Sequence, residues 1–225
     1  MLFDTHAHLD DRAFNEDRAQ LLESLKDQGL IMNPGCSLES SKNAVALANK
    51  YDFVYAAVGS HPDAADEVNE EVIEQYRTLC KEHSKVKAIG EIGIDYHYED
   101  IPRDLQLKAF RMQMELAKEL NLPAIVHERE AHEDGLAVIR EFPEVTGVLT
   151  FKNARKALEV AAGIPHDRIV IETDCPYMAP EPFRGKRNHP GYIYRMAEKL
   201  AELWEMPVEQ VQDITTENGK KLYRI

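Results

Sequence analysis

The sequence predicts an α/β fold and, within that class, a (β/α) barrel of the TIM type. Strand-like apolar runs alternate with amphipathic helical segments along the chain, which is the pattern of parallel strands covered by helices. A glycine-rich phosphate loop, usual after the first strand of a doubly wound sheet, is absent. Residues of metal-binding types stand instead at the ends of several strands, where a barrel carries its functional residues.

The elements follow from apolar periodicity and from the residues that interrupt it. Gly29 ends the first helix, Ser37 or Ser40 can cap the second, and Pro102 stands near the first turn of the fourth. Seven strands are predicted, at residues 2–10, 30–32, 53–58, 86–95, 124–127, 146–151 and 168–174. Helices are predicted at residues 15–28, 37–50, 69–83, 102–120, 132–141, 153–162, 192–204 and 208–223.

Composition indicates one globular domain, residues 1–225, with 44% hydrophobic and 30% charged residues. The sequence has neither an apolar run of membrane-spanning length nor a basic-then-apolar leader, so we expect a soluble cytoplasmic protein without a membrane partner. Cys36, Cys80 and Cys175 are odd in number and far apart, which favours buried, inert thiols in a reducing compartment. The net charge of −13 disfavours a broad electrostatic grip on nucleic acid, although a local basic patch could hold a phosphate.

Two histidines in the first strand suggest a metal site. His6 and His8 are two residues apart, so on a strand both side chains face the same side and can bind one ion. An isolated pair of this kind more often reflects two separate core or surface histidines. Further residues of metal-binding types at the ends of later strands favour the metal site over that explanation.

Those further ligand types are Glu91 on the fourth strand, His127 at the end of the fifth, and Asp174 at the end of the last. Each has an ordinary structural explanation: Glu91 could pair with Arg103 or Lys87, for example. Together at one mouth of a barrel, imidazole and carboxylate suit zinc, manganese or a similar divalent ion, and a carboxylate can bridge two ions. Asp174 could also accept a proton from the attacking water.

Six segments of the chain carry a specific resemblance to a known family. They are residues 3–8 (FDTHAH), 89–97 (IGEIGIDYH), 123–127 (PAIVH), 150–154 (TFKNA), 171–177 (IETDCPY) and 215–218 (TTEN). The chain resembles the TatD family of metal-dependent hydrolases over nearly its whole length. The resemblance implies a TIM barrel of the amidohydrolase superfamily with a two-metal centre and deoxyribonuclease activity. It implies that one metal is held by His6, His8, Glu91 and Asp174, while Glu91 bridges to a second metal on His127.

Other positions matching the family concern the substrate. His61 resembles a substrate-side histidine at the mouth of the third strand and is a catalytic candidate beside Asp174 and Glu91, although Asp63 stands where a second histidine is common. Tyr96 and His97 could touch substrate or simply pack under a loop.

A basic loop follows the last predicted strand. Arg184 and Arg187 lie in it and could bind substrate phosphate, because guanidinium groups match phosphate geometry. A solvated basic loop is the alternative.

The sequence also lacks a segment that the resemblance leads one to expect. A TIM barrel needs eight strands, and in the family pattern the sixth ends in a histidine-cysteine pair. Here residues 141–146 run directly into the seventh-strand motif near Val145 to Gly147, so the third ligand of the second metal is missing. We expect one tightly bound metal, a weak or empty second site, reduced activity, and a barrel that is gapped, seven-stranded or completed by a second copy. His132 and His189 are possible substitute ligands, whereas His166 should lie at the opposite face.

The predicted function is metal-dependent phosphodiester hydrolysis at DNA ends, with Zn, Mn or Mg as the cofactor. Single-stranded ends fit better than duplex DNA because basic residues are few. One alternative is hydrolysis of an ester or amide, such as deacylation of D-aminoacyl-tRNA. Another is a weakly active or inactive metal-binding scaffold, which the missing segment suggests.

Overall fold

Six parallel strands form one sheet in which the spatial order equals the chain order. In a computed structural model, which describes residues 1–97, 100–151 and 161–225, they are β1 (Leu2–Asp4), β2 (Gly29–Pro34), β3 (Val54–Val58), β4 (Val86–Asp95), β5 (Ala124–Arg129) and β6 (Gly147–Phe151). Each strand pairs in parallel with the next. Because the order never reverses, this is a TIM-type barrel that lacks some of its units, as the sequence predicts.

Helices separate the strands and close the chain. They are α1 (Arg18–Leu25), α2 (Leu38–Lys50), α3 (Glu70–Glu82), α4 (Arg103–Leu120), α5 (His132–Glu141), α6 (Tyr194–Trp204) and α7 (Val208–Tyr223). Ser37 caps α2 by accepting the Ser40 N–H, which settles the two candidates in favour of Ser37. The predicted helix at 153–162 lies outside the described residues except for its last two positions. No helix in the described ranges is both long and apolar enough to cross a membrane.

The first helix is shorter than predicted. A 3-10 helix at Arg12–Phe14 precedes α1, and turns occupy residues 15–17 and 26–28. The Arg18 guanidinium donates hydrogen bonds to the carbonyls of Leu9 and Asp10, which ties the start of α1 to the end of the first extended segment.

The strand predicted at 168–174 is wrong as a regular strand. A 3-10 helix covers His166–Arg168, and residues 169–174 carry no strand assignment. Side chains take up carbonyls that a neighbouring strand would otherwise use: Asn218 donates to Ile169 and Asn188 donates to Thr173. The run then ends at Asp174, whose φ of 54° is left-handed.

Residues 169–175 nevertheless lie beside the start of the chain. Thr5 donates its N–H to the Ile171 carbonyl at 3.1 Å, Asp174 donates to the His6 carbonyl at 3.0 Å, and Ala7 forms a parallel bridge with Cys175. The predicted first strand is therefore shorter than 2–10, since its second half pairs irregularly between β2 and this segment. Within the described residues, no strand pair returns from β6 to β1, so the barrel is gapped there.

One buried layer takes a side chain from each of the first five strands. It consists of Phe3, Met32, Ala57, Ala88 and Ile125, and Tyr223 of α7 packs against it. The Phe3 and Tyr223 ring centroids are 5.7 Å apart. This layer lets the C-terminal helix fasten the sheet that carries the site residues.

Candidate metal centre

Four side chains from three parts of the chain lie close together. The Nε2 atoms of His6 and His8 are 3.0 Å apart. Glu91 Oε2 lies 3.2 Å from His6 Nε2 and 3.6 Å from His8 Nε2. Asp174 Oδ1 lies 3.5 Å from His8 Nε2 and 3.9 Å from His6 Nε2. All four residues are buried.

This arrangement fits a divalent cation. Ligand atoms on one tetrahedral ion with bonds of about 2.1 Å lie about 3.4 Å apart, which is within the observed spread. His6 Nδ1 is buried and has no hydrogen-bond partner among the described residues, with Glu172 Oε2 at 3.7 Å. Ligand atoms of His6, His8 and Asp174 lie within 4.8 Å of one another, and Glu91 Oε2 lies beside both histidines. Imidazole nitrogens together with carboxylate oxygens are a ligand set that zinc and manganese accept.

Glu91 also faces a second group of ligand types. Its Oε1 lies 3.1 Å from His127 Nδ1, while its Oε2 lies 3.2 Å from His6 Nε2. One oxygen of this carboxylate therefore belongs to the cluster with His6, and the other belongs to the cluster with His127. One ligand atom each from His61, Glu91 and His127 lie within 4.8 Å of one another. The close approach of β4 to β5 depends on Gly93, where a Cβ would meet the His127 carbonyl oxygen at 2.0 Å.

The family model for TatD related DNase matches residues 3–146 and 142–224. The chain belongs to the TatD family. A metal-dependent hydrolase of Bacillus subtilis, YabD, is 41% identical, with both chains covered completely. The metal-dependent hydrolase YcfH of Escherichia coli K12 is 30% identical over the whole of this chain and 96% of its own length. The protein is therefore a TatD-family metal-dependent hydrolase.

Solved structures of TatD proteins have the same fold. The crystal structure of YjjV, a TatD homologue from E. coli K12, aligns with a TM-score of 0.89 at 26% identity, over 100% of this chain and 98% of that chain. A TatD-family hydrolase from Entamoeba histolytica aligns with a TM-score of 0.85 at 22% identity over 99% and 97% of the two chains, a likeness of fold alone.

The comparisons also locate the missing segment. The alignment with YabD runs over 255 positions, 30 more than the 225 residues of this chain. The two parts of the family match meet at residues 142–146, next to the predicted deletion at Val145 to Gly147. This TatD protein therefore lacks an internal segment that its relatives have.

In the cluster of His6, His8, Glu91 and Asp174, the histidines and carboxylates shift one another's pKa values. Burial alone would lower the pKa of His6, but the carboxylates of Glu91, Glu172 and Asp174 outweigh burial and raise it to about 10. Burial raises the pKa of Glu172 to about 7, whereas His6 and His127 hold the pKa of Glu91 well below its usual range despite burial. Without a cation, the site thus keeps a proton on His6 beside an ionised Glu91.

Asp4 supports the cluster of His6, His8, Glu91 and Asp174. In the sequence, only its position two residues before His6 pointed to this role. It accepts the Thr173 N–H at 3.0 Å, the Thr173 hydroxyl at 2.6 Å and the His6 N–H at 3.3 Å. It thereby links β1 to the segment that carries Asp174. Burial raises the pKa of Asp4 to about 7 despite these hydrogen bonds.

Cys36 is a further neighbour that the sequence prediction left as an inert thiol. Its Sγ lies 3.6 Å from His8 Nδ1, and Cys36, His8 and Glu91 form another group of possible ligands. Burial of the thiol raises its pKa well above the usual value, which keeps it protonated and a poor ligand. All three cysteines are free; Cys175 is buried, while Cys36 and Cys80 are only half-buried.

Two predicted substrate residues are engaged away from the clusters. Tyr96 donates its hydroxyl to Asp134 at 2.6 Å, with the Arg103 guanidinium 4.2 Å from its ring centroid. His97 Nδ1 lies 3.1 Å from Glu130 Oε1, and its side chain is 42% exposed. The structure thus packs Tyr96 beside α4 and α5 and leaves the His97 side chain partly exposed.

The two predicted phosphate-binding arginines differ in their surroundings. Arg187 forms a two-point ion pair with Asp17, donates to the Ala13 carbonyl and lies over the Phe14 ring. Arg184 pairs with Glu181 at 3.2 Å, and its side chain is 77% exposed. Arg187 is therefore held by its own chain, which the sequence pattern could not show.

The suggested substitute ligands also have other partners. His132 pairs with Glu128, and His189 accepts the Gly191 N–H and packs against Tyr192. His166 stacks on Trp204 at 3.9 Å. None of these histidines belongs to a group of possible metal ligands among the described residues.

Proposed function

We propose that this TatD protein is a metal-dependent phosphodiesterase that acts on the ends of single-stranded DNA. The observation that carries the proposal is the pair of clusters sharing Glu91, since two adjacent cation positions suit in-line displacement at phosphorus. The matching family model, described as TatD related DNase, supports the same chemistry.

The residues divide into binding and proton-transfer roles. His6, His8, Glu91 and Asp174 would hold the first divalent cation, and Glu91 would reach a second one beside His127. A bound divalent cation would supply Lewis acidity and lower the pKa of the attacking water. Asp174, whose Oδ1 faces both first-strand histidines, is the carboxylate placed to accept a proton from that water.

An exposed aromatic side chain at the rim supports a single-stranded substrate. Tyr177 is 52% exposed, and its ring packs edge-on to His8 with centroids 6.2 Å apart. Its hydroxyl donates to Asp11 Oδ2 at 3.0 Å, which holds the ring in place. Aromatic faces of this kind stack with unpaired bases independently of sequence.

The charge distribution favours an end over a long duplex. The net charge of −13 opposes wrapping along a DNA backbone, whereas Arg184, ten residues after Asp174 in the chain, is exposed and forms no long-range ion pair among the described contacts. Three free cysteines fit a reducing compartment, so we place the activity in the cytoplasm.

A labelled-oligonucleotide assay tests the proposal. Linear single strands labelled at the 5′ or the 3′ end should be shortened in Mg²⁺ or Mn²⁺ and spared in chelator, while a circular single strand of the same sequence should persist. Cleavage of the circle would contradict action at ends. Turnover of aryl esters or D-aminoacyl-tRNA without DNA cleavage would overturn the phosphodiesterase assignment, and inactivity on every substrate with metal bound would indicate a scaffold.

A further inference from the structure

We propose that His61 is the third protein ligand of a second cation, beside Glu91 and His127. The inference rests on the protein being a metal-dependent hydrolase and does not depend on which substrate it cleaves. Glu91 and His127 by themselves offer two ligand atoms, and His61 raises the number to three. Three protein ligands with an open position are typical of catalytic rather than structural metal sites.

The three side chains already converge. Ligand atoms of His61, Glu91 and His127 lie within 4.8 Å of one another, and the Glu91 Oε1 to His127 Nδ1 distance is 3.1 Å. The rings of His61 and His127 pack edge to face with centroids 4.3 Å apart. Residues from β4, β5 and the end of β3 thus meet at one point.

Each histidine has a carboxylate beside one of its ring nitrogens. His61 Nδ1 lies 2.7 Å from Asp63 Oδ1 and 3.3 Å from the Asp63 backbone nitrogen, and His127 Nε2 lies 2.9 Å from Asp95 Oδ2. Such partners fix the tautomer of a metal-binding histidine, because the proton stays on the carboxylate side and the other nitrogen is left with a lone pair. On His127 this places the proton on Nε2, so that Nδ1, 3.1 Å from Glu91 Oε1, is the nitrogen that faces the cation position. Simple edge-to-face packing of two histidines would not require both carboxylates.

The backbone holds His61 in place before any ion binds. Its N–H donates to the Cys36 carbonyl at 2.9 Å, at the turn that follows β2. Pro62 comes next and is buried, which confines His61 to the extended conformation observed, with φ −60° and ψ 156°. A prearranged ligand loses little conformational entropy on binding.

His61 also places the open position towards solvent. Its side chain is 13% exposed, whereas those of His127 and Glu91 are 1% and 4% exposed. A cation held by the three residues would therefore be shielded on the Glu91 side and reachable by water or substrate on the His61 side.

Metal titration without substrate tests the inference. The full chain is stripped with chelator and titrated with Mn²⁺ by calorimetry, and the metal per chain is measured by elemental analysis. We expect two binding steps for the native chain, and for His61→Ala loss of the second step with the first unchanged. Asp63→Asn should keep both steps but weaken the second by about 10- to 100-fold. The electron paramagnetic resonance spectrum should show coupled Mn²⁺ ions only where both steps occur.

His83→Ala is the matched control, because it removes an imidazole at the C-terminal cap of α3, where the ring contacts Asn49. It should bind Mn²⁺ as the native chain does. A single binding step in the native chain would overturn the inference. Two unchanged steps in His61→Ala, or loss of both steps in a folded His61→Ala protein, would also overturn it. If circular dichroism shows that His61→Ala does not fold, Asp63→Asn decides, and an unchanged second step overturns it. Failure of DNA cleavage would leave these titrations unaffected.

Discussion

Replacing Asp4 with asparagine is expected to stabilise the metal-free protein increasingly as the pH rises. Asp4 is 2% exposed, and burial raises the pKa of its carboxyl group from 3.8 to about 7 in the folded state. Between these two values the folded protein holds more protons on Asp4 than the unfolded chain does. The free energy of unfolding therefore falls as the pH rises through this window and is level above it.

The size of the effect follows from the shift. A change from 3.8 to about 7 corresponds to about 4 kcal/mol, at roughly 1.4 kcal/mol for each pKa unit. The Asp4→Asn variant has no titrating group at this position. Its amide oxygen can still accept the N–H groups of Thr173 and His6, and its amide nitrogen can donate to the Thr173 hydroxyl. The stability difference should therefore grow from near zero at about pH 4 to about 4 kcal/mol at about pH 7.

Urea unfolding in the presence of chelator measures this difference. Native and variant proteins are compared at intervals between about pH 4 and 7.5, which spans the window that the shift defines. Asp66→Asn, which removes an exposed carboxylate, is the control and should follow the native curve. Parallel curves for the native protein and Asp4→Asn would refute the reasoning, because they would show that Asp4 titrates alike in the folded and unfolded states.

Three further predictions concern the site. Asp174→Asn should lower hydrolysis by ~10²- to 10⁴-fold with an unchanged circular dichroism spectrum, and near-native turnover in saturating Mn²⁺ would contradict its role. Metal binding at neutral pH should release about one proton, because His6 has a pKa of about 10 without metal and must be neutral to bind a metal ion. Calorimetry in buffers of different ionisation enthalpy measures the number of protons released. A heat of binding that does not depend on the buffer would contradict the prediction. Arg184→Gln should raise KM for single-stranded DNA, and the increase should be larger at low salt. Arg187→Gln should leave KM unchanged, because Asp17 already binds the Arg187 guanidinium. Equal KM values for both variants at every ionic strength would refute this distinction.

The sequence by itself determined the fold class and the family. Alternating apolar runs and amphipathic helices identify parallel strands, because burial on both faces imposes that pattern locally. The motifs containing His6, Glu91 and Asp174 are likewise local, and each lies in or next to an extended segment that the apolar pattern also locates. The missing segment could be found too, since the distance between motifs along the chain is a property of the sequence.

Only the tertiary structure decided which side chains share a site and which are already bound to partners within the chain. The partners of Arg187 and Asp4 are far away in sequence, Asp17 and Thr173 respectively, and no periodicity links such positions. The prediction of a regular last strand failed for the same reason, because Asn188 and Asn218 take up its carbonyls from later in the chain. His61 shows the point most directly: its sequence suggested a substrate contact, and its place beside Glu91 and His127 depends on how β3, β4 and β5 pack.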